Sequence, residues 1–173
     1  MTSYEENYHA FIPLVPKHVL TPVTLDQSTA DERFLLTAIL TIASKDNPSL
    51  AVIHRNCWEY MKKLLLDVLL GLPSTQRIGS VEGLLLLSEW APYFAVETPL
   101  SQGIQQTFCG PEDSASWSLV GQAVRQAYLL RLDRTSFRKE TLHEPKDLID
   151  RKRLVWTCKG QSCISLKTPL TLK

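Results

Sequence analysis

Cysteines, histidines and paired carboxylates are the residues through which this chain could bind a metal or catalyse a reaction. Its four cysteines, Cys57, Cys109, Cys158 and Cys163, form no C-x2-C pair, and their spacing fits no zinc module. In a reducing compartment they are expected to be free thiols. His54 and Cys57 lie three apart, close enough on a helix to share a metal ion. No second pair completes the three or four ligands that zinc takes, so no metal site is expected. His9 and His18 flank a short N-terminal segment; a lone His near a segment end is more often solvated or capping than catalytic, and neither is assigned a role. Glu5/Glu6 and Asp147/Asp150 lie in polar stretches and are taken as solvated surface. There is no phosphate loop, no G-x-G-x-x-G, no G-x-S-x-G elbow and no H-E-x-x-H. An active site needs buried polar groups with perturbed pKa values, and the apolar helices described next offer few. No enzyme is expected, and no catalytic, metal or cofactor-binding residue is assigned.

Charge points the same way. A net charge of +1 gives no global attraction to nucleic acid. Arg131, Arg134, Arg138, Lys139, Lys146, Arg151, Lys152 and Arg153 gather towards the C-terminus. They are interleaved with Asp133, Glu140, Glu144, Asp147 and Asp150, the pattern of a solvated face. Arg151-Lys152-Arg153 is too sparse for an import or nucleic-acid patch, and no aromatic residues interleave as single-strand binding requires.

The elements that position these side chains are all helical. At 173 residues, 44% hydrophobic and 21% charged, the chain has the size and composition of one globular domain or part of a larger one. No apolar run approaches the length of a membrane span. The start, MTSYEENYHAF, is acidic where a signal peptide is basic, so an intracellular protein is expected. Tyr4–Leu14 is a short amphipathic segment ended by Pro13 and Pro16. Ser28–Glu32 starts a helix running to about Ser44, with Phe34, Leu35, Ala38, Ile39, Ile42 and Ala43 inward and Arg33, Thr37, Thr41 and Ser44 on a polar stripe. Asn47 caps a second helix from Pro48 to Leu70, stopped by Gly71. Its core side is Trp58, Met61, Leu65, Val68 and Leu69.

Ser80 is expected to cap a short helix, VEGLLLLSEWAPYF, in which only Glu82, Ser88 and Glu89 are polar. Ala95–Ser116 is aperiodic and expected to be an exposed loop, with Asp113 or Ser114 capping the next helix. That helix, Trp117–Leu132, confines Ser118, Gln122, Arg125, Gln126 and Asp133 to one narrow stripe. It is expected to be packed on several sides, with the Val81–Trp90 helix as its neighbour. Gly121 in its interior suggests a close helix–helix approach. Pro145 opens a fifth helix, KDLIDRKRLVWTC, with Leu148, Ile149, Leu154, Val155 and Trp156 as its apolar set. From Lys159 periodicity stops. The class is all-α, an irregular bundle of about five helices, with a helical domain over 1–158 and a poorly ordered tail over 159–173.

Several stretches follow one another in a telling order. They are Tyr8-His9-Ala10-Phe11-Ile12-Pro13, the Leu-rich Val81–Trp90 helix, the Trp117–Leu132 helix and Arg151–Trp156 (RKRLVW). The series resembles the fungal-specific transcription factor domain, the middle homology region of fungal zinc-cluster regulators. That family has an aromatic-proline opening, an L-L-L-type helix, W-x-x-x-G-x-A-x-R-x-A ending in L-G-L, and R-R-x-W-W. The resemblance covers about residues 4–157 and rests on Trp90, Trp117, Gly121, Ala123, Arg125, Ala127, Arg153 and Trp156 as structural or regulatory signature positions. It departs at Arg131, where the family has the Gly of L-G-L, so the helix is expected to run a turn further. It departs again at Thr157, where a second Trp is common, and after Lys159, where the family continues into more helices. On this comparison the chain is the truncated, N-terminal part of a larger helical domain, with apolar faces left uncovered.

The resemblance implies transcription regulation in the nucleus, with protein partners or a small effector. The family's six-cysteine zinc cluster is not found in these residues, so zinc and DNA contact are expected only through such a module. A second reading is a small helical scaffold or protein-interaction module without a transcriptional role.

Overall fold

The computed structural model describes residues 4–20, 29–90, 111–135 and 144–165. Among these the chain is all-α, with no strand. The five long helices are α1 (Thr29–Ser44), α2 (Ala51–Leu69), α3 (Ile78–Glu89), α4 (Pro111–Leu129) and α5 (Lys146–Ser165). A π-helical turn Glu5–His9 and short helices Lys17–Leu20 and Leu132–Thr135 complete the bundle.

The most enclosed element is α3. Every residue from Gly79 to Ser88 is buried. A helix apolar all round must be covered all round, and α1, α4 and α5 cover it. Two glycines let α1 approach. A Cβ on Gly83 would come within 2.6 Å of the Phe34 ring, and one on Gly79 within 2.5 Å of a Glu32 carboxylate oxygen. The start of α3 also differs from expectation. Ser80 lies buried inside the helix, Arg77 is the N-cap, and no side chain caps this end.

Helix α4 does pack most extensively against α3, as its sequence suggests. It is less buried than its apolar circumference implies. Ala123 and Ala127 are fully enclosed, but Trp117, Tyr128 and Leu129 are exposed. Gly121 is exposed, with nothing within 4 Å of where a Cβ would stand, so no close helix approach explains it. The polar stripe is broken too: Gln126 is buried and donates from Nε2 to the Val68 carbonyl at 3.3 Å. The helix begins at Pro111, inside the expected loop, so Asp113 and Ser114 are helical rather than caps. Residues 91–110, the rest of that loop, lie outside the described residues.

At its other end α4 does not run on. Arg131 takes the left-handed conformation, φ 54°, and is the non-glycine with positive φ among the described residues. Its amide bonds back to the Tyr128 carbonyl at 2.9 Å, the helix closes, and Leu132–Thr135 follows as a separate short helix. In the fifth helix the correction is the opposite. Helix α5 passes through Cys158 to Ser165, so residues 159–165 are helix, while 166–173 lie outside the described residues. Lys159 explains part of the extension: its ammonium sits 3.4 Å from the Trp156 ring centroid and 5.0 Å from that of Tyr128.

Helices α1 and α2 follow their patterns, with one twist. Asn47 Oδ1 accepts from the Ser49 amide at 3.0 Å, and Pro48–Leu50 forms a 3-10 turn that leads into α2. Gly71, at φ 69°, ends it. The hydroxyl stripe of α1 is buried rather than wet, because Thr37, Thr41 and Ser44 each donate to the carbonyl four residues back at 2.7 Å. On α2, Met61, Leu64 and Val68 are buried, whereas Leu69 is exposed.

Candidate functional site

A carboxylate in the middle of an apolar helix is the strongest demand this sequence makes on its fold. Glu82 is fully buried on α3. Its partner is Arg151 of α5, which donates from Nε to Glu82 Oε1 at 2.8 Å and from Nη2 to Oε2 at 2.5 Å. The same guanidinium grips Glu32 of α1, from Nη1 at 2.6 Å and Nη2 at 2.9 Å. One arginine thus ties three helices by paired hydrogen bonds to two carboxylates. The position of Gly79 is what admits the Glu32 carboxylate beside α3.

The electrostatics of this triad are unbalanced, with two acids against one base. Burial pushes the Glu82 carboxyl up to about 7; the hydrogen bonds and charge of Arg151 oppose the rise, and the charge of Glu32 adds to it. Burial works against the Arg151 charge, but its bonds to Glu82 and Glu32 outweigh that and hold it above its ordinary value. Tyr4 is fully buried nearby, its phenol raised by burial with the Glu82 charge in support, and its hydroxyl has no hydrogen-bond partner.

Beside the triad opens a cleft of about 380 Å³. It is lined by the polar Glu32, Arg77, Arg151 and Lys152 and the apolar Ile78, Leu130, Leu132 and Leu148. Lys152 is held by both Glu144 carboxylate oxygens, at 2.6 and 2.7 Å.

The expected signature residues divide in two. Trp90 packs edge-on against Tyr8 at 5.5 Å, and Trp156 edge-on against Tyr128 at 5.6 Å. Ala123 and Ala127 are buried among the core residues. Trp117, Gly121, Arg125 and Arg153 lie on the surface, Arg153 reaching Asp150 at 3.4 Å between half-exposed side chains. Such a pair contributes little to stability. Arg151, taken from sequence as part of a solvated basic face, is instead the central connector. The signal for it was Glu82, a charge amid Val81–Leu87 that could be buried only with a partner.

His54 and Cys57 do not meet at a metal site. His54 Nδ1 lies 3.1 Å from both the Thr41 carbonyl and Ser44 Oγ, joining α2 to the end of α1. Among the described residues no three His, Cys, Asp or Glu side chains gather to hold a metal. Cys57 and Cys158 are free thiols, both raised by burial; Cys109 lies outside the described residues, as does the side chain of Cys163. No described helix is long and apolar enough to cross a membrane. Set against family models, curated proteins and solved structures, the chain matches none.

Proposed function

We propose that this chain is the helical regulatory domain of a fungal zinc-cluster-type transcription regulator, acting in the nucleus when joined to a DNA-binding module. The observation that carries the reading is convergence. The stretches that resemble the family meet in one core: Tyr8 packs on Trp90, α3 on α4, Arg151 binds Glu82, and Trp156 packs on Tyr128. A second support is local. Arg131 adopts the left-handed backbone that favours glycine, at the position where the family has the Gly of L-G-L. In this reading the domain has no catalytic role. It holds a protein partner or small effector and restrains or permits the attached module.

Tethering tests this. Residues 1–173 are fused to a heterologous zinc-cluster DNA-binding module and compared with the module alone on a reporter promoter at equal protein level. The fusion is expected to shift output. Equal output from the two, with the fusion folded and nuclear, overturns the reading.

A second reading, a protein-interaction module without transcriptional role, draws on exposed Leu66, Leu69 and Leu70 at the end of α2, each more than half accessible. It predicts that the tethered domain is silent while the chain still captures a partner through this face.

A further inference from the structure

We propose that a smaller cleft, lined by residues of α1, α2 and α3, binds a small zwitterion of the α-amino acid class. Its volume is about 200 Å³. Two opposite charges line it, Arg33 of α1 and Asp67 of α2. Neither makes an ion pair or side-chain hydrogen bond among the described residues, and they do not bridge to each other. Facing one cleft unpaired, they leave a gap for a molecule that carries the complementary pair, a carboxylate for Arg33 and an ammonium for Asp67. A third group is Ser80 of α3. It lines the same cleft at only 2% exposure, and its hydroxyl bonds to no described residue. A hydroxyl enclosed to that degree is normally satisfied, so a bound polar group is the partner it lacks. Phe34 and Leu64 supply apolar lining for a short side chain. The volume lies below the ~300–1,000 Å³ of drug-sized sites, which limits the ligand to a few heavy atoms beyond its charged groups.

The connection from α2 to α3 completes the lining and is fixed by its own hydrogen bonds. The Leu72 amide donates to the Asp67 carbonyl at 3.1 Å, and the amide and hydroxyl of Thr75 both donate to the Leu72 carbonyl, at 2.9 and 2.7 Å. Thr75 lines the cleft with its hydroxyl thus already used. Arg77 lines it too but has a partner within the fold, so Arg33 is the available cation. The other clefts offer no such unmatched pair. In the one beside the triad, Arg151 is held by Glu32 and Glu82 and Lys152 by Glu144. In a third, lined by Tyr8 and Asp46, the Asp46 carboxylate accepts from the Tyr8 hydroxyl.

The proposal rests on the regulatory reading only in making this ligand the effector. Binding is measured on the chain itself, so its failure leaves the tethering result untouched. The experiment is an NMR titration of residues 1–173 with L-valine and two matched probes, 3-methylbutanoate, which lacks the amine, and isobutylamine, which lacks the carboxylate. Valine is expected to bind saturably at one site and more tightly than either probe. R33M is expected to weaken valine by about tenfold or more, to the level of isobutylamine, and D67N by as much, to the level of 3-methylbutanoate, the scale of one hydrogen bond to a charged group. R33K, which keeps the charge, is expected to retain most of the affinity, and S80A to lose about threefold or more. Arg33 is exposed and Asp67 half-buried, neither with a partner to lose, so R33M and D67N should keep the wild-type thermal melt. No saturable binding of valine, equal binding of either matched probe, or undiminished affinity in folded R33M, D67N or S80A would each overturn the proposal.

Discussion

Replacing Glu82 by Gln removes a proton that this core handles differently from water. In the unfolded chain the Glu82 carboxyl titrates at its ordinary value of 4.5, and in the folded chain at about 7. An acid whose pKa is raised by folding binds its proton more tightly in the folded state. Its contribution to stability is therefore full below pH 4.5 and is lost as pH rises towards 7. At about 1.4 kcal/mol per pH unit, the gap between the two values amounts to about 3 kcal/mol between about pH 4 and about pH 8. Gln has nearly the same shape and no proton to lose, so E82Q lacks this dependence. Urea unfolding of wild type and E82Q over that range reads Glu82 together with the groups coupled to it, because titrations uncoupled from Glu82 cancel in the difference. E82Q is expected to gain about 3 kcal/mol on wild type as pH rises across the window. A flat difference would mean that Glu82 is not desolvated. A difference of opposite slope would mean that the attraction of Arg151 exceeds the cost of burial, and would refute the unbalanced triad.

Three further outcomes follow from the helix contacts. G83A is expected to destabilise by about 1–2 kcal/mol, because the clash of its Cβ with the Phe34 ring outweighs the gain in helix propensity; G121A, with open space around it, is expected to stabilise by up to about 1 kcal/mol. Urea midpoints of the pair check this, and a stable G83A would remove the close approach of α1 and α3. R131G is expected to raise stability by about 0.5–1 kcal/mol, the relief of a left-handed residue less the backbone entropy of glycine, read as a higher thermal midpoint. K159A is expected to cost about 1–2 kcal/mol through lost contact with the Trp156 and Tyr128 rings, with K159R retaining most of it.

Local rules made the helices legible. The Asn47 cap, the Gly71 stop and the spacing of Phe34, Leu35, Ala38, Ile39 and Ile42 act within one or two turns, and the structure follows them. The Leu-rich helix and the Trp117–Leu132 helix were also legible as neighbours. What sequence pattern could not rank was which of two nearly all-apolar helices is central. Apolar circumference measures what a helix can bury, not what reaches it, and α4 keeps Trp117, Tyr128 and Leu129 at the surface. The polar stripes misled for a related reason. Hydroxyls of Thr37, Thr41 and Ser44 satisfy themselves on their own helix, and so can be buried where a stripe argument places them in water. Arg151 was hidden inside a basic run, because sequence spacing says nothing of a partner 69 residues away. The helix beyond Cys158 was hidden because its β-branched and polar residues have weak propensity, which tertiary contacts such as Lys159 on the Tyr128 ring of α4 override.

That the resembling stretches form a single core depends on the Arg151 link between α5 and α3, and one measurement tests it most directly. A double-mutant cycle of E82Q, R151M and E82Q/R151M in urea at about pH 7 reads the coupling of the two residues free of their separate effects. Breaking a buried pair at Arg151 alone is expected to cost about 3–5 kcal/mol, and the coupling with Glu82 to exceed about 1 kcal/mol. Additive single effects, with no coupling, would contradict the link and with it the convergence on which the regulatory reading stands.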